Sequence, residues 1–417
     1  MSWAGSFVRW WVAPTLLVLM ASMAHADPDT YLQVEQGRKL ATAGDCVACH
    51  TAPNGIPFAG GRGISTPFGV INSANLTPDL ETGLAGWSEA EFHRAMTQGI
   101  RRDGAHLYPA FPYTFYTKIT RDDSDAIFAF LRTLPATSNR VNRSSLPFPF
   151  SIRAAMIGWN AINFTPGEFK PEPSRSPEFN RGAYLVEGLG HCGACHTPMN
   201  AIGGSKAGRA FQGNTIQDWW APSLTNDQRT GLGAWSVEEI VEYLQTGRNT
   251  RTAASGPMAE VVQYSTALMP TDDLKAMAIY LKERERPNPN LAAAASPAPV
   301  PASDATFQAG AAIYADTCSA CHARGGEGVP RLFPRLAGNA MVQQADPAGL
   351  TRIVLGGGRA AATAVAPTSP AMPALGWRLD NAQTAAVLTY IRNSWGNAAA
   401  AVSTGEVSRM REVLARP

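Results

Sequence analysis

Three stretches of this sequence combine two cysteines with a histidine in one fixed pattern. Each reads Cys-x-x-Cys-His, and the copies begin at Cys46, Cys192 and Cys318. Together they use all six cysteines of the chain. This pattern is the attachment signature of c-type haem, in which both thiols add to porphyrin vinyl groups and the histidine binds the iron. A redox dithiol or half of a zinc site is the alternative for any single copy, but three copies favour haem.

The motifs therefore predict three covalently bound haem c groups. The residues expected to bind them are the thiols and proximal histidines of the three copies: Cys46, Cys49, His50, Cys192, Cys195, His196, Cys318, Cys321 and His322. A sixth ligand to each iron must come from elsewhere in the chain. A methionine in that position raises the haem potential relative to harder ligands.

Two methionines beside prolines are predicted to be sixth ligands. Met258 lies 66 residues after Cys192, in what reads as a loop, and Met372 lies 54 residues after Cys318. A neighbouring proline stiffens such a loop and can hold the side chain toward the iron. Because most methionines fill hydrophobic cores, the others are interpreted as weaker competitors or as core residues: Met269, Met341 and Met277.

The first copy departs from this pattern at Phe111. Phe111 lies 65 residues after Cys46, where a methionine would be expected, and its ring cannot bind iron. His106 lies in the same loop and could give a bis-histidine haem of lower potential. A five-coordinate iron, or a donor from another segment, is the alternative. His93 and Met96 read as packing residues of a helix, so we expect haem 1 to differ electronically from haems 2 and 3.

An internal repeat and recurring helices position these residues. Residues 75–91 match residues 223–239 without a gap. Each copy contains Ser-x-x-Glu, the capping box that opens a helix, at Ser88 and at Ser236. A glycine recurs eight to ten residues before each motif, on a predicted N-terminal helix: Gly37, Gly182 and Gly310. Apolar residues at helical spacing predict a closing helix in each copy: 122–134, 271–283 and 380–395.

This order of helix, haem motif, loop and helix resembles the small cytochrome c domain. The predicted fold class is all-α, with three tandem cytochrome c-type haem domains joined by irregular straps and a Pro/Ala linker. The expected boundaries are a signal peptide (1–26), domain 1 (27–134), a connecting strap (135–178), domain 2 (179–286), a Pro/Ala linker (287–304), domain 3 (305–397) and a C-terminal helical tail (398–417).

The N-terminal segment predicts export from the cytoplasm. Arg9 precedes the apolar residues 10–20, and Ala24-His25-Ala26 forms a cleavage site before Asp27. An uncleaved anchor is the alternative, although the apolar stretch is short for a membrane span. The net charge of +2 gives no indication of a nucleic-acid partner.

Four stretches together resemble the tri-haem cytochrome c subunits of membrane-bound dehydrogenases: residues 180–198, 244–249, 256–262 and 391–397. That family includes subunits of quinoprotein alcohol dehydrogenase and of flavin-dependent gluconate, sorbitol and fructose dehydrogenases. Related cytochromes accompany molybdenum-containing aldehyde or N-heterocycle oxidoreductases. Residues 108–113 read YPAFPY where the alcohol dehydrogenase branch has YPAMPY, a departure that concerns the partner rather than electron transfer.

The resemblance implies a subunit that is not catalytic on its own. It would carry electrons from the PQQ, FAD or molybdopterin of a catalytic dehydrogenase subunit towards ubiquinone or the respiratory chain. A small third subunit is possible. The expected location is peripheral, on the periplasmic face of the bacterial inner membrane. The alternative is a multi-haem peroxidase or gas-binding protein that uses a haem 1 lacking a methionine ligand.

Two segments have both a packing and a docking interpretation. The strap at 135–178 is rich in aromatics and prolines, and we favour packing on its own domains over a docking surface. Residues 404–416 place Val407, Met410, Val413 and Leu414 on one helix face, typical of an interfacial amphipathic helix. The favoured interpretation is again an ordinary helix, folded on domain 3 or on a partner.

Overall fold

The computed structural model describes residues 28–142, 145–284 and 297–415, together with Met1. The predicted signal peptide and most of the predicted Pro/Ala linker lie outside the described residues. The helices are α1 (Pro28–Ala43), α2 (Cys46–Cys49), α3 (Glu89–Gln98), α4 (Tyr113–Tyr116), α5 (Arg121–Arg132), α6 (Ala155–Asn163), α7 (Pro177–Tyr184), α8 (Cys192–His196), α9 (Val237–Thr246), α10 (Pro257–Tyr264), α11 (Thr271–Glu283), α12 (Ala305–Thr317), α13 (Ser319–His322), α14 (Ala348–Gly356), α15 (Asn381–Arg392) and α16 (Thr404–Leu414). A π-helical turn, Leu185–Leu189, continues α7.

The fold is largely helical, but it also contains short antiparallel hairpins that the all-α prediction lacked. Their strands are β1 (Gly63–Thr66), β2 (Gly69–Asn72), β3 (Asn214–Ile216), β4 (Trp219–Ala221), β5 (Gly358–Arg359) and β6 (Ala371–Met372). Each pairs with its neighbour in sequence, β1 with β2, β3 with β4 and β5 with β6. None exceeds four residues, so each hairpin is a loop stiffened by a few backbone hydrogen bonds rather than a sheet.

Three helix pairs cross at the predicted glycines. Helix α1 packs on α5, α7 on α11, and α12 on α15. A Cβ at Gly37 would lie 1.8 Å from the Ala126 carbonyl oxygen. At Gly182 the corresponding distance to the Ala276 oxygen is 2.0 Å, and Gly310 repeats the contact in the third pair. Only glycine permits backbones to approach this closely. We call the segments closed by these pairs unit 1, unit 2 and unit 3.

The sequence repeat corresponds to repeated hydrogen bonds. Ser88 and Ser236 form the predicted capping boxes at the starts of α3 and α9. Ahead of each box the chain folds back on itself in the same way. Leu84 donates its backbone N–H to Thr77 in unit 1 (2.8 Å), and Leu232 donates to Thr225 in unit 2 (2.7 Å). Units 1 and 2 therefore share their loop geometry as well as their helices.

Unit 2 contacts both of the other units. One hydrophobic core runs continuously through units 1 and 2 and includes Phe128, Leu185 and Leu274. The hydroxyl of Tyr184 also bonds Asp123 of unit 1. Toward unit 3, Ala361 joins a small buried cluster with residues of unit 2. The structure thus places unit 2 between the other two.

The strap contains a helix, α6, that sequence analysis did not predict. Its inner face is fixed: the Trp159 indole donates to the Ile202 carbonyl oxygen (2.7 Å), and Asn160 accepts from the Tyr113 hydroxyl (2.6 Å). Phe164 packs edge-on against Tyr113, with ring centroids 5.3 Å apart. The strap therefore packs on units 1 and 2, in agreement with the interpretation favoured from the sequence.

The apolar face of the C-terminal helix α16 is buried inside the protein. Val407 and Met410 belong to the core of unit 3, and Val413 and Leu414 pack against that core. Ser403 caps the helix through a capping box. This supports the interpretation of an ordinary helix folded on domain 3. Within the described ranges, no helix combines the length and apolar character that crossing a bilayer requires.

Candidate haem-binding sites

Each motif histidine is held by the same hydrogen bond. Nδ1 of His50 lies 2.7 Å from the Ala74 carbonyl oxygen, and Nδ1 of His196 lies 2.6 Å from the Pro222 oxygen. In unit 3 the His322 Nδ1 is 2.9 Å from the Pro334 oxygen. A carbonyl oxygen can only accept, so each Nδ1 carries the proton. The Nε2 lone pair is thereby left to bind a metal, the orientation that a ligating histidine needs.

Burial keeps these histidines neutral. Desolvation lowers the pKa of His50, His196 and His322 below the ordinary imidazole value, and in each case it outweighs the opposing carbonyl hydrogen bond. A neutral imidazole offers its lone pair without first losing a proton. The three rings are therefore ready to bind iron at neutral pH.

The six cysteines of the motifs are free thiols in this structure. Burial raises the pKa of Cys46 and of Cys192 to about 12, and that of Cys49 and Cys195 to about 11. Burial also raises the pKa of Cys318 to about 11. Redox-active dithiols have lowered pKa values, since the thiolate is the reactive form. These thiols have the opposite character, which speaks against the dithiol interpretation.

Short helices place each thiol pair on one turn. Helices α2 and α8 begin after a residue in the left-handed region, Asp45 (φ 52°) in unit 1 and His191 (φ 35°) in unit 2. Non-glycine residues adopt this conformation only where the surrounding structure imposes it. The chain therefore turns sharply from the preceding helix into the motif, and both sulfur atoms project from one helical turn.

The two predicted methionines lie on the cores of their units, in elements that differ from the predicted loops. Met258 is in the first turn of α10, directly after Pro257, and packs against the core shared by units 1 and 2. Met372 is in strand β6 and packs against the core of unit 3. Proline at the first helical position explains the helix, because its fixed φ suits that turn. Met277 is buried in α11, as interpreted from the sequence.

Phe111, at the sequence position where a methionine was expected, is partly buried against the core shared by units 1 and 2. Its ring is 5.4 Å from that of Tyr116, whose hydroxyl donates to the Gly44 carbonyl oxygen (3.2 Å). Tyr116 is close enough to the Cys46 thiol for that thiol to raise its pKa further, after burial. Two aromatic side chains, Tyr116 and Phe111, therefore lie close to each other in sequence and are in contact, with Tyr116 near the unit 1 motif.

His106 is held against the strap. Its Nδ1 is 3.4 Å from the Asn160 amide nitrogen, and its carbonyl oxygen accepts from Arg153 at 2.8 Å. Of the two helix residues considered as alternative donors, only Met96 is buried; His93 is half-buried, and its Nδ1 has no hydrogen-bond partner among the described residues. Met96 is buried on α3, and His93 lies on the same helix.

The first two motifs are neighbours in space, which the sequence did not reveal. Cys195 is close enough to Cys49 to affect its pKa, although burial of Cys49 is the larger cause. Arg62 joins the two units: it donates to Ala48 at 2.8 Å and pairs with Glu260 of α10 at 2.7 Å. No sequence pattern relates a hairpin arginine to a glutamate 198 residues away.

The distal regions of units 2 and 3 also meet. A Cβ at Gly247 would lie 2.7 Å from the Ala361 side chain, and Arg352 of α14 stacks 4.8 Å from the ring of Trp219. Glu242 of α9 pairs with Arg331 of unit 3. Units 2 and 3 are therefore in direct contact through residues outside their haem motifs.

The residues present fit covalent haem c. Units 2 and 3 each have the donors that a c-type haem requires: two free thiols separated by two residues, a neutral histidine with its Nε2 available, and a partly buried methionine on the same core. In unit 1 the thiols and the histidine are present, and Phe111 replaces the methionine. When bound, haem c supplies one-electron oxidation and reduction; the protein tunes it by ligand type, burial and hydrogen bonding.

Comparison with known proteins points to the same chemistry. The sequence model of the cytochrome c family matches residues 34–135 and 307–395. The chain is 39% identical over 399 residues to the gluconate 2-dehydrogenase cytochrome c subunit of Pantoea cypripedii, covering 91% of this chain and 89% of that one.

Two further relatives are similar over most of their length. One is the cytochrome c subunit of the quinone-type alcohol dehydrogenase of Gluconobacter oxydans, at 37% identity over 95% of this chain and 86% of that one. The other is the fructose dehydrogenase cytochrome subunit of Gluconobacter japonicus, at 33% identity over 91% and 82%.

The fold, the haem motifs and the family match define a c-type cytochrome. More narrowly, the chain belongs to the family of dehydrogenase cytochrome c subunits that these relatives represent.

Proposed function

We propose that this protein is the tri-haem c electron-transfer subunit of a dehydrogenase complex, with one cytochrome c domain in each unit. Domains 27–134, 179–286 and 305–397 would each hold one haem through the motif cysteines and His50, His196 or His322. Met258 and Met372 would be the sixth ligands of haems 2 and 3. The observation that supports this proposal most strongly recurs in all three units: a histidine whose Nδ1 bonds a carbonyl oxygen follows directly after a pair of free thiols.

The arrangement of the units supports a relay through unit 2. Unit 2 contacts unit 1 through the continuous core and unit 3 through the Ala361 cluster. The motifs of units 1 and 2 lie within electrostatic range of each other. Electrons entering at either end of the chain of units would therefore pass through haem 2.

The proposed partner is a catalytic dehydrogenase subunit, because the relatives named above are cytochrome subunits of gluconate, alcohol and fructose dehydrogenases. Its cofactor would be PQQ, FAD or molybdopterin, a small third subunit could complete the complex, and ubiquinone would be the acceptor. Residues 1–26 would direct export, and the protein would act as a peripheral protein on the periplasmic face of the inner membrane.

The test is purification of the tagged chain from membranes, followed by identification of the companion chain and its cofactor. We expect the companion's substrate to reduce the haem c of the complex, seen as growth of the reduced absorption bands. Absence of any companion, or haem that the companion's substrate never reduces, would contradict the proposal. Peroxide turnover by the purified chain alone would favour the peroxidase alternative.

A further inference from the structure

The outer face of the strap is apolar and exposed. Phe148 is 80% exposed, Ile157 is 60% exposed and Ile162 is 74% exposed. Between 154 and 162 every exposed position is alanine, isoleucine or glycine: Ala154, Ala155, Ile157, Gly158, Ala161 and Ile162. A surface helix ordinarily presents polar side chains to water. An apolar patch of this kind marks a surface that contacts something other than water.

This face is held rigidly. The opposite side of α6 is anchored by the Trp159 bond to Ile202 and the Asn160 bond to Tyr113. At the start of the strap, Phe150 packs on Phe68 with ring centroids 4.9 Å apart. The isoleucines therefore point outward because the other side of the helix is already occupied.

Two neighbouring segments extend the patch. The tip of the β1–β2 hairpin contributes Phe68, and the loop at 199–209 contributes Ile202, which is 46% exposed. That loop is bonded to α6 through Asn200, whose amide donates to the Asn163 side chain at 2.8 Å. We call residues 148–162, Phe68 and Ile202 the strap face.

Basic side chains adjoin the strap face. Within the strap, residues 145–167 contain Arg153 and no aspartate or glutamate, and Glu168 follows them. Residues 191–217, which include the adjoining loop, contain Lys206 and Arg209 and again no acid. Both of these loop side chains are exposed. Residues 46–78, which include the hairpin, also lack acids. An apolar centre beside the exposed Lys206 and Arg209 side chains matches an anionic lipid surface.

We propose that the strap face docks on an anionic phospholipid bilayer, with Ile157, Ile162 and Phe148 entering the interfacial layer and Lys206 and Arg209 facing headgroups. The proposal rests on the proposed function in one respect, the peripheral membrane location, and names the surface that makes the contact. Helix α16 is unsuited to this role because Val407 and Met410 are buried in unit 3. The strap face also presents units 1 and 2 toward the membrane, since α6 is bonded to both.

The experiment measures co-sedimentation of the haem-loaded chain with vesicles. The vesicles contain either equal parts of phosphatidylcholine and phosphatidylglycerol or phosphatidylcholine alone. The test variant is Ile157→Glu/Ile162→Glu. Val365→Glu is the matched control, because Val365 is a similarly exposed aliphatic residue in unit 3. We expect binding to the anionic vesicles that falls about tenfold or more in the test variant and is unchanged in the control.

A second variant tests the charges. Lys206→Gln/Arg209→Gln should weaken binding to the anionic vesicles about tenfold, leave the weaker binding to phosphatidylcholine unchanged, and reduce the salt dependence. The proposal is overturned if the wild-type protein binds neither kind of vesicle. It is also overturned if the Ile157→Glu/Ile162→Glu variant binds as well as the control. Vesicle binding that persists while the variant loses its companion subunit assigns the strap face to a protein partner instead, and overturns it too.

Measuring the haem content of each variant distinguishes a failure of the strap-face proposal from a failure of the proposed function. Both variants change exposed side chains outside the motifs, so the haem c spectrum and its reduction by dithionite should match those of the wild type. A chain without haem c would contradict the proposed function whatever the vesicles show. A fully loaded chain that fails to bind vesicles would contradict only the strap-face proposal.

Discussion

Units 1 and 2 have the same frame around two different iron environments. Both cross at a glycine, both open a helix with a capping box, and both hold the motif histidine through a carbonyl oxygen. They differ at the proposed sixth-ligand position, where unit 1 has Phe111 and unit 2 has Met258. They differ again just before the motif, at Asp45 and His191.

The difference shows which parts of a haem domain are constrained by folding. The glycine crossing and the histidine hydrogen bond are required by packing, and they recur in all three units. The distal residue only has to fill space on the core, which a phenylalanine ring does as well as a methionine. Electronic properties can therefore diverge between units while the fold is preserved.

The largest expected effect is on redox potential, from exchanging the distal residues. Phe111→Met should raise the potential of haem 1 and Met258→Phe should lower that of haem 2, because a thioether sulfur favours the reduced iron. Each shift should be on the order of a tenth of a volt, within the ~0.8 V range that axial ligands span. Spectroelectrochemical titration of the haem-loaded protein would measure these shifts. A Phe111→Met variant in which no component moves would contradict the account.

Carbon monoxide separates the remaining interpretations of haem 1. We expect the reduced wild type to bind carbon monoxide at one haem in three, and Phe111→Met to abolish that binding. If His106 binds the iron instead, the wild type will not respond and His106→Ala will. Met258→Phe should add a second binding haem, which makes it the matched control.

The next largest effect is on stability at the helix crossings. Gly37→Ala in unit 1 and Gly182→Ala in unit 2 should each destabilise the protein by about 1–3 kcal/mol, since a methyl group would meet a backbone carbonyl. Gly158→Ala is the control: a Cβ there meets nothing within 4 Å, and alanine suits a helix better by roughly 0.5–1 kcal/mol. Thermal unfolding would measure all three. If Gly37→Ala and Gly182→Ala have the same melting temperature as the control, the close approach of the helix backbones is not required.

A pH effect should distinguish unit 1 from unit 2. Burial, followed by the negative charge of Glu260, raises the pKa of Asp45 to about 8, and its Oδ1 is buried without a partner among the described residues. The folded state therefore binds this proton more tightly than the unfolded chain, whose carboxyl has a pKa of about 3.9. The contribution of the protonated Asp45 carboxyl to the free energy of unfolding is fully present below the unfolded pKa. It is lost as the pH rises through the folded pKa of about 8.

Asp45→Asn should remove this dependence, because the amide stays neutral at every pH. The melting temperature of the variant minus that of the wild type should therefore increase as the pH rises from about 4 to about 8. Thermal unfolding in a series of buffers measures the difference. Two curves that stay parallel across this range would contradict the prediction.

The smallest expected effect concerns the ion pair that joins the two units. Arg62 and Glu260 are 2.7 Å apart, but their side chains are 32% and 44% exposed. A double-mutant cycle with Arg62→Gln and Glu260→Gln should give a coupling of roughly 0.2–1 kcal/mol that shrinks in salt. Arg62→Gln alone should cost more than Glu260→Gln alone, because Arg62 also bonds Ala48. A coupling well above this range, insensitive to salt, would show that the units are joined mainly by charge.

Much of the frame could be predicted from the sequence because its signals are local. The capping boxes at Ser88 and Ser236 were predicted and confirmed. The closing helix of unit 2 spans Thr271–Glu283, as its apolar spacing predicted. The family resemblance is also confirmed by relatives that match most of the chain. Such features depend on residues three or four positions apart, which a sequence shows directly.

Most of the missed features depend on distant contacts. Helix α6 has no side-chain N-cap, since Ala154 stands at that position, and it forms because Trp159 and Asn160 pack on residues far away in sequence. Met258 was expected in a loop, but Pro257 starts a helix there. The proximity of Cys49 to Cys195 arises from how two units pack together. Only the helix at Met258 has a local signal, the proline at its first position; the other two features depend on residues far apart in sequence.

The central claim is that three haem c groups are attached to one polypeptide, and intact mass spectrometry with the pyridine haemochrome assay tests it most directly. The account predicts a mass equal to the mature chain plus three haems, falling by one haem when the two cysteines of any one motif are replaced by alanine. A purified chain that carries clearly fewer than three haems, or that lacks the haem c band, would contradict it.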